Sequence, residues 1–177
     1  MKIFKIVFAL IIALNLSSCG DDSTTELPFT LSVSNIAGTY NISSYNSDIV
    51  NTVVTQDATV TVSNAKKVGD TFQVNFTLNA NGTYTAEGRY RIIGTVTPVG
   101  KNPIVTPDII VFSDSGDFSV NIADGTINFN STTDEFLKGE LRFVSFNESS
   151  FSLTQQTEEI DAQITAAINT TISFERK

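Results

Sequence analysis

Over long stretches of this chain, apolar residues occupy every second position and polar residues lie between them. From Phe72 to Leu78, large apolar side chains occupy every other position and polar side chains lie between them. Successive side chains of a β-strand point to opposite faces, so this period predicts an antiparallel strand with one buried and one solvated face. The Asn81-Gly82 pair that follows is typical of a tight hairpin turn in which both residues adopt positive φ angles. The alternation therefore constrains the chain to fold as a sheet.

The same pattern recurs along the chain, from Tyr40 near its start to Phe174 near its end. Asp124-Gly125 supplies a second hairpin signal between two alternating segments. The pattern predicts roughly eight to ten short strands without a long helix. We therefore expect an all-β fold: an antiparallel up-and-down barrel of about eight strands, or a two-sheet β-sandwich, since both produce the same alternation.

Two segments depart from the period of two. Ile160, Ile164 and Ile168 are spaced by four residues, which predicts a helical turn over residues 157–167. The glycines and prolines between residues 94 and 103 predict a longer irregular connection.

The beginning of the chain has the order of a secretory signal. Lys2 and Lys5 precede an apolar run from Ile6 to Leu14, and a small-residue site, Leu16-Ser17-Ser18-Cys19, follows. The apolar run is about half the length of a membrane-spanning helix, so a permanent transmembrane segment is not expected here.

The position of Cys19 resembles the lipobox of bacterial lipoproteins, in which this cysteine becomes the acylated first residue of the mature chain. The resemblance implies a signal peptide at 1–18, an acylated acidic tether at 19–34 and a folded domain at 35–177. It also implies lipid anchoring to the bacterial outer membrane. Asp21-Asp22 resembles the surface-export signal of some Gram-negative lipoproteins, although the chain leaves the periplasmic or external face undecided.

Composition excludes several classes of function. The formal net charge of −8 disfavours nucleic acid and anionic lipid headgroups as partners, so membrane attachment is expected from the covalent lipid alone. Histidine is absent, and Cys19 is the single cysteine, which leaves neither the usual catalytic base nor a disulfide.

The remaining chemical candidates are carboxylates. Asp134-Glu135 and Glu158-Glu159 are sequence neighbours, which in a strand would point to opposite faces, so they are interpreted as solvated loop charges and not as catalytic pairs. Asp114, Asp117 and Asp124 lack the spacing of a calcium loop and are interpreted as turn residues. The sequence predicts a protein that is not an enzyme and has no catalytic residue, metal site or cofactor.

Four segments resemble the lipocalin-like lipoproteins of Gram-negative bacteria: Ile36–Ile42, Phe76–Tyr84, Val144–Thr154 and Ile172–Arg176. Tyr40 stands where a tryptophan is usual in the Gly-x-Trp motif of lipocalins, and it can plug the closed end of a barrel while its hydroxyl finds a partner. The resemblance implies an up-and-down barrel whose interior is either packed or holds one small apolar ligand.

Aromatic residues at strand positions are the candidates for a ligand pocket, because such pockets are mostly apolar with a few polar groups. The predicted function is the binding of a small apolar or amphipathic molecule. The alternative is a non-catalytic β module that contacts a protein or glycan as an accessory subunit of a cell-envelope assembly, with its protein partner unknown. The candidate pocket residues are Tyr40, Phe72, Phe76, Tyr84, Tyr90 and Phe143.

Overall fold

A computed structural model describes residues 29–56, 58–133 and 136–177 of the chain. The predicted signal peptide, Cys19 and the larger part of the predicted tether lie outside these residues, as does the Asp134-Glu135 pair. Among the described residues, the helical content is too short and too polar to include a bilayer-spanning helix.

One short helix and eight antiparallel strands make up the fold, and each strand pairs with the next along the chain. Strand lengths differ widely, from 6 residues in β5 to 20 in β2. The elements are α1 (Val33–Ile36), β1 (Gly38–Val54), β2 (Thr59–Leu78), β3 (Thr83–Pro98), β4 (Ile104–Asn121), β5 (Thr126–Ser131), β6 (Gly139–Phe146), β7 (Ser150–Asp161) and β8 (Ile164–Arg176).

Pairing between the first and last strands closes the sheet into a ring. The β1–β8 ladder runs from Tyr40 opposite Arg176 to Val53 opposite Ile164. A β-sandwich would lack this ladder, so the predicted up-and-down barrel of about eight strands is confirmed and the sandwich alternative is excluded.

The ring is complete only in its lower part, which contains Phe29 and the C-terminal end of β8. β4 pairs with β5 only over Gly116–Asn121, and β7 pairs with β6 only over Phe151–Thr154. Above these ladders, the long strands continue as a six-stranded curved sheet in the order β4-β3-β2-β1-β8-β7. The molecule is therefore a closed barrel below and an open half-barrel above.

Tyr40 plugs the closed end, in the role expected for it. Its side chain is 1% exposed, and its hydroxyl donates to the carbonyl oxygen of Ile36 at 2.6 Å. Arg176 lies over the ring, with its guanidinium carbon 5.1 Å from the ring centre, and donates to the hydroxyl at 2.8 Å. The same guanidinium donates to the carbonyl oxygens of Asn35 and Ala37, so the last strand fastens α1 across the barrel end.

Ordered packing begins earlier than the predicted domain start at residue 35. The Phe29 and Phe146 rings lie 5.0 Å apart, and the Ser32 side chain caps α1 by accepting from the Asn35 backbone N–H at 3.1 Å. Phe29 and Ser32, which fall in the segment predicted as tether, therefore contact the barrel and cap its short helix.

A packed aromatic core fills the lower barrel. Phe76 lies at its centre, with ring centres of Phe174, Phe129 and Tyr84 at 4.9, 6.1 and 6.2 Å. Each of these side chains is at most 2% exposed. Burial of one such side chain contributes roughly 1.5–3 kcal/mol, so this cluster is a main source of the stability of the fold.

Two sequence-based expectations about local structure were wrong. Residues 157–167 form a hairpin and not a helical turn: β7 ends at Asp161, Ala162 adopts a φ of 53° in the turn, and β8 begins at Ile164. The three isoleucines spaced by four lie on two different strands, and the many β-branched residues here favour a strand. The irregular connection predicted from residue 94 is confined to 99–103, because β3 continues through Gly94 to Pro98.

The predicted turn at Asn81-Gly82 exists, but its geometry differs from the expectation. Gly82 has a φ of 83°, whereas Asn81 keeps a negative φ. The Asn81 side chain instead accepts from the backbone N–H of Thr83 at 3.1 Å, which fixes the turn without left-handed backbone at this asparagine.

Candidate functional site: an open cup above an aromatic floor

A cavity of about 500 Å³ lies on the inner face of the upper half-barrel. We call this cavity the cup. Five strands contribute its walls, and its lining mixes aliphatic, hydroxyl, amide and charged side chains. The lining residues are Tyr45, Ser47, Ile49, Asn51, Ala65, Lys67, Val96, Thr157, Glu159, Ala166, Ile168 and Thr170.

Strand register arranges this lining in three rows. The lowest row, next to the packed core, brings Ser47 into register with Lys67 and with Thr170. The middle row is mainly apolar, with Ile49 opposite both Ala65 and Ile168. The row nearest the rim again contains polar side chains, those of Asn51 and Glu159. Both residues are in register with Ala166, which lies between them.

Aromatic rings form the floor that separates the cup from the core. Tyr90 lies at the centre of this layer, with ring centres of Phe72, Tyr45 and Phe112 at 5.8, 5.9 and 5.9 Å. Phe136 of the β5–β6 connection stacks on Phe112 at 4.6 Å and extends the floor. Tyr45 belongs to both the floor and the cup lining.

A cluster of hydroxyl groups lies directly on this floor. Thr170 Oγ1 donates to Ser47 Oγ at 3.1 Å, and the Tyr45 side chain lines the same part of the cup. Burial raises the pKa of Tyr45 and exceeds the lowering effect of the neighbouring Ser47 and Thr170 hydroxyls. Burial, with a smaller contribution from Tyr45, raises the pKa of Tyr90 to about 12. Both tyrosines are therefore neutral donors at physiological pH.

Two charged side chains line the cup, and they lie on opposite walls. Lys67 of β2 is in the lowest row, whereas Glu159 of β7 is in the row nearest the rim. Glu158 and Glu159 lie on β7 and not in a loop, so their interpretation as loop charges was wrong; Glu159 lines the cup and Glu158 does not.

The predicted pocket residues are divided between the core and the floor. Tyr40, Phe76 and Tyr84 are at most 1% exposed and belong to the packed core. Phe72 and Tyr90 belong to the floor, and Tyr90 also borders a cavity of about 300 Å³ that is formed with Arg89 and Arg91. The sixth residue, Phe143, packs near the closed end against Phe146 and Phe151.

Asp114, which the sequence analysis interpreted as a turn residue, is instead a buried strand residue, so that interpretation was wrong. It is 3% exposed and accepts hydrogen bonds from the hydroxyls of Ser131, Thr133 and Tyr84 at 2.7, 2.9 and 3.1 Å. Burial raises its pKa, but these hydroxyls and the backbone N–H of Ser115 together outweigh that effect and lower it. Asp114 thereby fastens the start of the β5–β6 connection that carries Phe136.

The other candidate aspartates do not join Asp114. Asp117 is exposed within β4, so its interpretation as a turn residue was also wrong. Asp124 does lie in the β4–β5 turn, where its side chain accepts from Asn121 at 2.5 Å. Within the described residues, no group of three or more acidic, histidine or cysteine side chains is arranged to hold a metal ion.

Most residues of the cup were not predicted from the sequence. The upper strand halves carry polar residues on both faces, so the alternation that identifies an inner face is weak there. Ser47, Asn51 and Lys67 therefore resemble solvated positions in the sequence. Strict alternation from Tyr40 and Ile42 would place the even-numbered residues of this strand inside. The register shift between Ile42 and Ser44 reverses that order and turns Tyr45, Ser47, Ile49 and Asn51 inward.

Comparison with protein families, with curated proteins and with solved structures finds no match for this chain.

Proposed function

We propose that this chain is a lipid-anchored, non-enzymatic lipocalin-like protein of the bacterial outer membrane that binds a small amphipathic molecule in the cup. The observation that carries the proposal is the cup itself: about 500 Å³ of space, open at the top and floored by aromatic rings. Ligand pockets of this size are common, and they combine an apolar wall with a few polar groups.

The lining favours an amphipathic ligand over a purely apolar one. Ile49, Val96 and Ile168 provide apolar wall in the middle of the cup, whereas hydroxyl and charged groups lie below and above them. A purely apolar ligand would desolvate those polar groups without satisfying them, and each unsatisfied group costs about 1–3 kcal/mol.

The position of Phe29 agrees with an anchored receptor. The described chain begins at Phe29, beside the closed end of the barrel, and the cup opens at the opposite end. A lipid on Cys19 would therefore attach the protein by its closed end and leave the mouth of the cup accessible.

Binding of the uncharged fluorophore N-phenyl-1-naphthylamine tests the proposal. The full chain is used with Cys19→Ser, so that no acyl group competes for the cup. We expect fluorescence enhancement on binding, and at least about tenfold weaker binding in Ile49→Trp, because the indole fills the middle row; tenfold corresponds to about 1.4 kcal/mol.

Val50→Trp is the matched control, since the neighbouring Val50 is 41% exposed and lines cavities on the outer face. It should bind the fluorophore as the parent chain does. Equal binding by the parent and the Ile49→Trp chain, or loss in both variants, would place the fluorophore outside the cup and contradict the proposal.

A second candidate function rests on an exposed aliphatic stripe along the outer face of β4. Val105, Ile109 and Val111 are 60%, 64% and 73% exposed, and contiguous apolar surface of this kind is typical of interaction sites. It supports the alternative of a β module that contacts another protein. Native mass spectrometry of the protein purified from its own membranes distinguishes the two, because a retained small molecule favours the cup and a retained polypeptide favours the stripe.

A further inference from the structure

We infer that the ligand of the cup carries an anionic head group, which binds beside Lys67 on the aromatic floor, while its apolar part lies against the middle row above. This inference rests on the proposed function and names the chemical class of the ligand: an amphipathic carboxylate, sulfate or phosphate ester.

Lys67 is the only cation among the described residues that line the cup, and it is in the deepest row. Its register partners are Ser47 on β1 and Gly94 on β3. A Cβ at Gly94 would meet only the Thr106 carbonyl oxygen, at 3.5 Å, so no side chain fills the position on β3 that pairs with Lys67. The head of a ligand can therefore approach Lys67 from the β3 side.

The surroundings of Lys67 offer donors to an anion. Tyr45 and Ser47 bring two hydroxyl donors to the floor, with Thr170 Oγ1 donating to Ser47 Oγ, and an ammonium group adds three N–H donors. A carboxylate or sulfate accepts only, and its hydrogen bonds with an ammonium group are roughly twice as strong as neutral ones. This row is thus suited to an anion more than to a neutral or cationic head.

The acidic group of the lining lies too far away to neutralise this site. Through Ala166 and Asn51, Glu159 is in register with Ser63 of β2. Because Ser63 precedes Lys67 by four residues, the row of Glu159 and the row of Lys67 are about 13 Å apart along the strand. Glu159 also lies three strands away, on β7. Between the two rows is the apolar row of Ile49, Ala65 and Ile168, which can bury a short alkyl chain.

Competition between two ligands of equal chain length tests the inference. Decanoate and decanol each displace N-phenyl-1-naphthylamine from the Cys19→Ser chain at neutral pH. We expect decanoate to bind about tenfold more tightly than decanol. Lys67→Met retains the apolar stem and should remove this difference by weakening decanoate alone, whereas Lys67→Arg should preserve it.

Lys66→Met is the matched control, because Lys66 is the neighbouring lysine and lines a cavity on the outer face. It should leave both affinities unchanged. Equal affinity for decanoate and decanol, or an unaltered preference in Lys67→Met, would overturn the inference while the cup remains a binding site. Failure of the parent chain to bind the fluorophore would overturn the proposed function and this inference with it.

Discussion

Asp114 shows how much of this fold depends on single polar residues. Its carboxylate is buried among three hydroxyl donors and one backbone N–H, which is the arrangement that makes a buried charge tolerable. Two of its donors, Ser131 and Thr133, lie at the end of β5 and just beyond it. The carboxylate thus links β4 to the connection whose Phe136 extends the floor of the cup.

We predict that Asp114→Asn lowers the free energy of unfolding by about 1–3 kcal/mol at neutral pH, because an acceptor is replaced by a donor among donors. The folded-state pKa of Asp114 is lowered, so its contribution is complete above the unfolded pKa of about 3.9 and is lost as pH falls through the folded pKa. Urea denaturation at a series of pH values should show the difference between parent and variant shrinking in acid.

Asp117→Asn provides the control, since Asp117 is exposed three residues away on the same strand. It should alter stability by less than about 0.5 kcal/mol. A difference between the parent and the Asp114→Asn chain that stays constant down to the lowest pH would show that the charge of Asp114 is not the stabilising feature.

At the scale of the strands, two glycines of β3 have opposite roles. Gly88 has a φ of 142° and lies beside the bulge of β2 between Asp70 and Gln73, where a Cβ would come within 2.1 Å of the Gln73 carbonyl oxygen. The backbone of the two strands approaches too closely for any side chain. Gly94 lies six residues later, and a Cβ there would make only an ordinary contact, with the Thr106 carbonyl oxygen at 3.5 Å.

Gly88→Ala should therefore destabilise the protein by about 1–3 kcal/mol or more, through backbone strain and strand separation. Gly94→Ala should be tolerated within about 0.5 kcal/mol, since regular strand backbone accepts a methyl group there. Midpoints of urea unfolding compare the two variants directly. Equal destabilisation by both would mean that the loss of glycine in β3, and not the contact with Gln73, determines the effect.

The whole molecule combines a closed, packed barrel with an open half-barrel. Hydrogen bonds in the lower ring are shielded on both sides of each strand, whereas the upper parts of β4 and β7 have a strand neighbour on one side only. Local opening requires less free energy where few apolar contacts and exposed hydrogen bonds hold the backbone.

Hydrogen exchange followed by mass spectrometry should separate these two parts. Peptides covering residues 104–111 and 156–161 are expected to exchange faster than peptides covering 72–78 and 84–90, whose inward side chains form the core and the floor. Binding of an amphiphile in the cup should slow exchange in β7 and β8 more than in the lower ring. Uniform protection of all four peptides would contradict a division of the molecule into two parts of different stability.

The sequence predicted the lower barrel well and the cup poorly, for one physical reason. Between Phe72 and Leu78 the inner face is aromatic or aliphatic, so the alternation identifies both the strand and its buried side. Above the floor, the inner face contacts water and is itself partly polar, as at Ser47 and Lys67, and the alternation loses contrast. The burial of Asp114 was not predicted, because the sequence alone does not distinguish an aspartate that is buried among hydroxyl groups from one that lies in a turn.

The unequal strands also determine the shape of the mouth. β3 has 16 residues and β5 has 6, so the two walls differ by roughly 30 Å of strand. The cup is therefore open along one side, and it limits the width of a bound molecule much more than its length. If an amphiphile lies with its head at the bottom, a tail too long for the interior would leave sideways across the low wall, and the protein would accept a whole series of chain lengths.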